Sequence, residues 1–203
     1  MNRQEFAKKL LEIDALQVRP DRPFTWTSGI QSPIYCDNRL TMSYPELRRA
    51  IAQGFAEKIK KTYPKTEVIA GCATAGIPHA AWVSEILNLP MVYVRSKAKS
   101  HGKQNQIEGK IHEGQKVVVI EDLISTGKSS LQASTALEEA GARVLGVLSI
   151  FTYGLSISQE NFKKHHILYD SLTDFDTLVD IMIEAGQLND KEKEDLLKWR
   201  NNL

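Results

Sequence analysis

Cysteine is scarce: Cys36 and Cys72 are the only two in the chain. Their spacing matches neither a metal knuckle nor a redox pair, so they read as inert thiols of a reducing compartment. Long hydrophobic runs are missing, which excludes a membrane span. No apolar h-region of a signal peptide stands near the first residues. An excess of one charge is also missing. Lys and Arg total 26 against 25 Asp and Glu, for a net charge of +1. That balance excludes broad nucleic-acid binding and leaves room only for a local basic patch. There is no internal repeat and no low-complexity linker. The expectation is a cytoplasmic protein of 203 residues in a single domain, with the 42% hydrophobic content of a packed core.

What is present centres on one stretch. Val117, Val118, Val119 and Ile120 read as a strand buried on both faces. Glu121 and Asp122 follow at once, then Leu123 and Ile124, then a turn of Ser125, Thr126 and Gly127. A helix is expected from about Ser129 to Ala140, with Gly141 ending it. A turn feeding a helix N-terminus presents free N–H groups to a phosphate. Ser125, Thr126 and Ser129 add hydroxyl donors, and Gly127 lets the backbone close on the anion. The two acids cannot bind phosphate, but carboxylates accept hydrogen bonds from sugar hydroxyls. The pattern points to a ribose 5-phosphate. Gly127-Lys128-Ser129 imitates the end of a Walker A loop, yet that motif needs glycine where Asp122 stands. A ligand-free strand-turn-helix would not account for two acids and four hydroxyl residues.

The rest of the chain alternates strands and helices. Residues 3–15 have a helical stripe of Phe6, Leu10 and Ile13. Residues 24–35 read as short strands and turns, where Phe24, Trp26 and Tyr35 either stack on a planar base or form a satellite core. Helices are expected at 44–61, 77–88, around 156–164, at 174–185 with Thr173 as cap, and at 190–201 with Asn189 as cap. Strands are expected at 67–71, 91–94, 143–151 and 167–169. Residues 71–76 form a loop of small residues able to approach an anion. Residues 95–105 are basic, hold Gly102 and lack an apolar period, so they read as a mobile loop. His112, His165 and His166 read as surface residues, and His79 as structural. The sum is an α/β fold with a central parallel sheet, helices on both faces and right-handed crossovers.

Residues 118–130 resemble the phosphoribosyl pyrophosphate (PRPP) motif of the type I phosphoribosyltransferases. The basic run from Arg95 to Gly102 and the segment 24–35 resemble those of the orotate phosphoribosyltransferases among them. The resemblance implies the type I fold, with a core at about 44–152 and a small hood from 1–43 and the C-terminal segment. It implies transfer of a phosphoribosyl group from PRPP to orotate, giving orotidine 5′-monophosphate and pyrophosphate, in pyrimidine synthesis. The implied PRPP contacts are Arg95, Lys99, His101, Glu121, Asp122, Leu123, Ile124, Ser125, Thr126, Gly127, Lys128 and Ser129. Lys99, His101 and Asp122 are the implied catalytic residues. Thr74 and Ala75 would form a pyrophosphate loop with a cis bond near Ala73–Thr74. Ser125 would meet orotate; Arg39, in the run Asp37-Asn38-Arg39, reads from the residues alone as either a clamp for the orotate carboxylate or a surface arginine. Mg²⁺ would be held mainly through PRPP, with no metal ligands of the protein's own. The 95–105 loop would act across a homodimer with shared sites.

This sequence departs from the enterobacterial form of the family. Basic residues of that form are replaced by Thr27, by Ala75, and by Thr152 or Tyr153, a pattern like a Gram-positive branch. A purine phosphoribosyltransferase is the alternative enzyme, but it does not predict the 24–35 segment. A non-catalytic PRPP-sensing regulator is the alternative of another class, and it calls for a nucleic-acid-binding appendage that the chain has no spare length for.

Overall fold

The computed structural model describes residues 1–25, 31–96 and 106–203. In chain order the elements are α1 (Arg3–Glu12), β1 (Leu16–Val18), β2 (Phe24–Thr25), β3 (Gln31–Ser32), β4 (Ile34–Cys36), a 3₁₀ turn (Asn38–Ser43), α2 (Pro45–Thr62), β5 (Val68–Cys72), α3 (Gly76–Leu87), β6 (Met91–Val94), β7 (Ile107–Glu108), β8 (Lys116–Ile124), α4 (Lys128–Glu139), β9 (Arg143–Thr152), α5 (Ser156–Lys164), β10 (Tyr169–Asp174), α6 (Phe175–Glu184) and α7 (Asp190–Asn201).

The main sheet has six strands in the order β10-β9-β8-β5-β6-β7. All its pairings are parallel except β6 with β7. From β5 the chain winds outward to β6, then returns to β8 on the other side and winds outward to β9 and β10. Neighbouring connections therefore part between β5 and β8. In open α/β sheets that parting is where ligands bind, outside the carboxyl ends of the strands.

The parallel strands are buried on both faces, as their valine-rich sequence requires. Val118, Ile120, Leu148 and Ile150 face a core shared with Phe6 and Leu10 of α1, Ile51 and Phe55 of α2, and Leu178 of α6. Val117, Val119 and Val147 face a second core with Leu131 and Leu137 of α4 and Phe162 of α5.

Several expected boundaries shift. β8 does not stop at Ile120 but runs through both acids to Ile124. The last strand lies at Tyr169–Asp174 rather than 167–169, because Leu168 is 65% exposed while Leu172 is buried. The cap of α6 is Asp174, whose carboxylate accepts from Thr177 N–H at 2.9 Å, and not Thr173. β10 belongs to the sheet, and α1 packs against α6 and β10. Outside the sheet, β1 pairs with β4 and β2 with β3, and the 3₁₀ turn packs against β8.

Candidate active site

A cleft of about 680 Å³ opens at the parting of β5 and β8. The loop after β5 supplies Ala73, Thr74 and Ala75 to its lining. The Ala73–Thr74 peptide is cis, where the resemblance put it. The loop is fastened by Ala73 N–H to Val94 O at 2.9 Å and by Ile77 N–H to Thr74 O at 3.2 Å. Gly76 then starts α3 in contact with β8. A Cβ there would meet Ile120 O at 2.4 Å, closer than any side chain tolerates.

The end of β8 supplies Glu121, Asp122 and Leu123, and the following turn and first turn of α4 supply Ser125 and Ser129. Successive side chains of a strand point to opposite faces, so the two acids part. Glu121 turns towards α4 and is 4% exposed. Its Oε2 accepts from Ser129 Oγ at 2.9 Å and its Oε1 from Asp122 N–H at 3.0 Å. Burial first, then the charge of Asp122, pushes the Glu121 carboxyl up to about 8. Asp122 is half-buried and lies nearer the hood, where Asn38 Nδ2 donates to its backbone oxygen at 2.7 Å. The expectation that both acids face sugar hydroxyls thus divides: Glu121 already spends both oxygens inside the protein.

Gly127 has φ +77° and caps α4 without a side-chain hydrogen bond. The first N–H groups of α4 are therefore open to an anion. Asn161 Nδ2 steadies the turn through Thr126 O at 3.0 Å. The other expected PRPP residues do not all share this cleft. Ile124 is buried, and its oxygen accepts from Tyr153 N–H at 3.1 Å and Thr152 Oγ1 at 3.2 Å. Thr126 and Lys128 line a separate cleft of about 520 Å³ with Ser96 and Gln106. Arg95 directly follows β6, 3.7 Å from Glu108, and its backbone N–H donates to Gln106 O at 2.9 Å. Lys99, His101, Trp26 and Thr27 lie outside the described residues.

Arg39 is on the rim of the cleft, paired two-pronged with Asp37 at 2.6 and 2.8 Å. The pair pulls the Asp37 carboxyl below its usual range. Thr152 and Tyr153, the two positions where the resemblance puts the enterobacterial arginine, are buried, with Tyr153 edge-on to Phe151. Neither offers a cation to a ligand. Phe24 and Tyr35 pack on each other, centroids 5.5 Å apart, with the Arg19 guanidinium 4.6 Å above Phe24. This favours the satellite-core reading for that pair. Both cysteine thiols are buried and raised by burial. His79 is buried and lowered to about 4 by desolvation, a structural ring.

Sequence reasoning passed over Asp37 as a lining residue and Asn38 as a strut. The Asp-Asn pair was a signal for a turn, but its long-range partner on β8 left no local trace.

A family model described as "Phosphoribosyl transferase domain" matches residues 43–174. The chain is similar to the orotate phosphoribosyltransferase of Fusobacterium nucleatum, 56% identical over 205 residues, covering 100% of this chain and 97% of that one. It is similar to that of Bacillus subtilis, 57% identical over 200 residues, covering 98% and 93%. Among solved structures, the orotate phosphoribosyltransferase of Aeropyrum pernix superposes with a TM-score of 0.78 at 26% identity, covering 91% of this chain and 99% of that one. The UMP synthase of Leishmania donovani superposes with a TM-score of 0.81 at 26% identity, and this chain spans 42% of its length.

Proposed function

The chain belongs to the phosphoribosyltransferase family, with the orotate phosphoribosyltransferases as its relatives, and from that premise we propose how the β5–β8 cleft carries out the transfer. The reaction moves the 5-phosphoribosyl group of PRPP to orotate, giving orotidine 5′-monophosphate and pyrophosphate, a step of pyrimidine synthesis. The observation that supports the site most is the meeting of two strand-loop-helix units at one cleft: Thr74 and Ala75 from one, Asp122, Ser125 and Ser129 from the other.

The 5′-phosphate takes the open N–H groups before α4. Asp122 accepts hydrogen bonds from the ribose hydroxyls, and Glu121 anchors Ser129 and the Asp122 backbone behind it. The loop at 73–75 takes the pyrophosphate. Orotate lies toward Ser125 and Arg39. For Arg39 to grip the orotate carboxylate it must trade Asp37 for the ligand. A nitrogen of orotate forms the new bond to the anomeric carbon while the bond from that carbon to the pyrophosphate oxygen breaks. No side-chain nucleophile is required, so catalysis is placement and electrostatics.

Hard oxygen donors line the cleft, from Asp37, Thr74, Asp122 and Ser125. They would suit a hydrated Mg²⁺ held mainly through PRPP, which would supply positive charge opposite the pyrophosphate. Lys99 and His101 belong to a loop that a second protomer lends to the site, where they meet the departing pyrophosphate. The working unit in this reading is a homodimer in the cytoplasm. The free, buried thiols of Cys36 and Cys72 support a reducing compartment. Among the described residues no helix is long and apolar enough to cross a membrane.

Base choice tests the reading. Purified protein with Mg²⁺ and PRPP should release pyrophosphate with orotate, and at a small fraction of that rate with adenine or hypoxanthine. Equal or faster turnover of either purine would overturn it.

A further inference from the structure

The β5–β8 ladder ends at the pairing of Gly71 with Ile120, and β5 itself ends at Cys72. β8 continues to Ile124. Asp122, two residues beyond Ile120, turns its backbone groups to the same side as Ile120, where β5 has already left the sheet. Backbone groups away from water must find partners. The Asp122 N–H goes to the Glu121 carboxyl at 3.0 Å, and the Asp122 carbonyl accepts from Asn38 Nδ2 at 2.7 Å.

Asn38 is not a strand residue. It opens the 3₁₀ turn of the hood, it is 1% exposed, and its Oδ1 has no hydrogen-bond partner among the described residues. A buried amide with one bond out of its possible set costs stability. Leucine would fill the volume more cheaply. The turn is nevertheless built to hold this amide in place. Thr41 Oγ1 donates to Asn38 O at 2.6 Å and lies 3.4 Å from His79 Nε2. The His79 ring rests edge-on against Trp82, centroids 5.3 Å apart.

We propose that Asn38 is a positioning residue for PRPP: it takes the place of the missing strand neighbour at Asp122 and holds that acid's backbone, hence its carboxylate, in register with the cleft. The proposal rests on the reading of the cleft as a PRPP site. It makes the hood a part of sugar recognition without contact with the sugar.

Two variants separate positioning from mere packing. Asn38→Leu keeps volume and removes the donor. Asn38→Asp donates an O–H when protonated and repels the carbonyl when ionised. It sits among Asp37 and Arg39 of its own turn, Cys36 of β4, His79 of α3, and Glu121 and Asp122 of β8. PRPP is titrated calorimetrically with Mg²⁺ into each protein, and KM is measured for both substrates. For Asn38→Leu the PRPP Kd and KM should rise about tenfold, the scale of one lost buried hydrogen bond, while the orotate KM stays within about twofold of wild type. The PRPP affinity of Asn38→Asp, relative to wild type at each pH, should recover as pH falls, and the deficit of Asn38→Leu should not change with pH. If Asn38→Leu fails to fold, the pH response of Asn38→Asp decides alone. Unchanged PRPP affinity in the variants would overturn the proposal, as would equal rises in both KM values with no pH response. Wild type that binds PRPP but leaves orotate unused would contradict the orotate reading and leave the Asn38 comparison standing.

Discussion

Glu121 is an acid held where an acid is costly. Its carboxyl is raised from 4.5 to about 8, chiefly because it is buried beneath the cleft. The folded protein therefore keeps a proton that the unfolded chain gives up above pH 4.5. The contribution of this group to stability is full below that pH and is lost as pH rises through about 8. Glu121→Gln removes the titration while keeping both hydrogen-bond positions occupied. The melting temperature of the variant, relative to wild type, should rise steadily between about pH 5 and about pH 9. A difference that does not change with pH would show that Glu121 is ionised in the fold. The pairing of two acids in the motif was plain in the sequence. Their unequal burial was not, because four apolar residues followed by two acids look like a strand and its end. Only the continuation of β8 to Ile124 sends Glu121 inward to Ser129 and leaves Asp122 beside the cleft.

At the scale of elements, the two cradles are positioned by close approach. Helix α3 begins on the backbone of β8 because Gly76 has no side chain. Gly76→Ala must push the helix start away from Ile120 O, and with it the loop holding Thr74 and Ala75. A loss of about 1–3 kcal/mol by urea unfolding is expected, the usual cost of overpacking, together with weaker PRPP binding. Gly114→Ala is the control, since a Cβ there meets nothing within 4 Å and strains only a φ of +76°. A smaller loss at Gly76 than at Gly114 would contradict the close-approach account. Most helices were legible from their apolar period, including α2 with Leu47, Ile51, Phe55 and Ile59 buried. The bounds of β10 were not, because most of its residues are polar. Asp170 takes Arg3 at 2.6 Å and also Lys58, and Asp174 takes Arg3 at 2.5 Å. Those partners lie far away along the chain, so the local pattern pointed to the apolar residues just before the strand. The 3₁₀ turn at Asn38–Ser43 was likewise invisible: its buried polar residues bond to β8 through Asn38 Nδ2 and to one another through Thr41 Oγ1 and Asn38 O, and neither partner is signalled by a local pattern.

For the whole molecule, strand-helix alternation made a parallel sheet legible, and the PRPP-like motif marked one strand of it as the site. The strand order was not written in any local pattern, yet it is what brings the loop after β5 beside the turn after β8. Whether one molecule completes the site is a matter of assembly. If, as proposed, residues 95–105 of a second protomer complete the site, Lys99→Ala and Asp122→Ala damage different halves of each site. Random exchange of subunits makes about half of all dimers mixed, and each mixed dimer holds one intact site. Activity should return to roughly a quarter of wild type by that arithmetic. With exchange verified by differently tagged chains, no recovery would mean that each loop serves its own chain. The cleft itself is tested most directly by equilibrium titration of PRPP with Mg²⁺ into wild type and Asp122→Asn. Exchanging an acceptor-only group for a mixed one beside the ribose hydroxyls should leave saturable binding at one site per chain but raise the Kd about tenfold or more, with the melting temperature little changed. Identical isotherms for the two proteins would contradict the assignment of this cleft to PRPP.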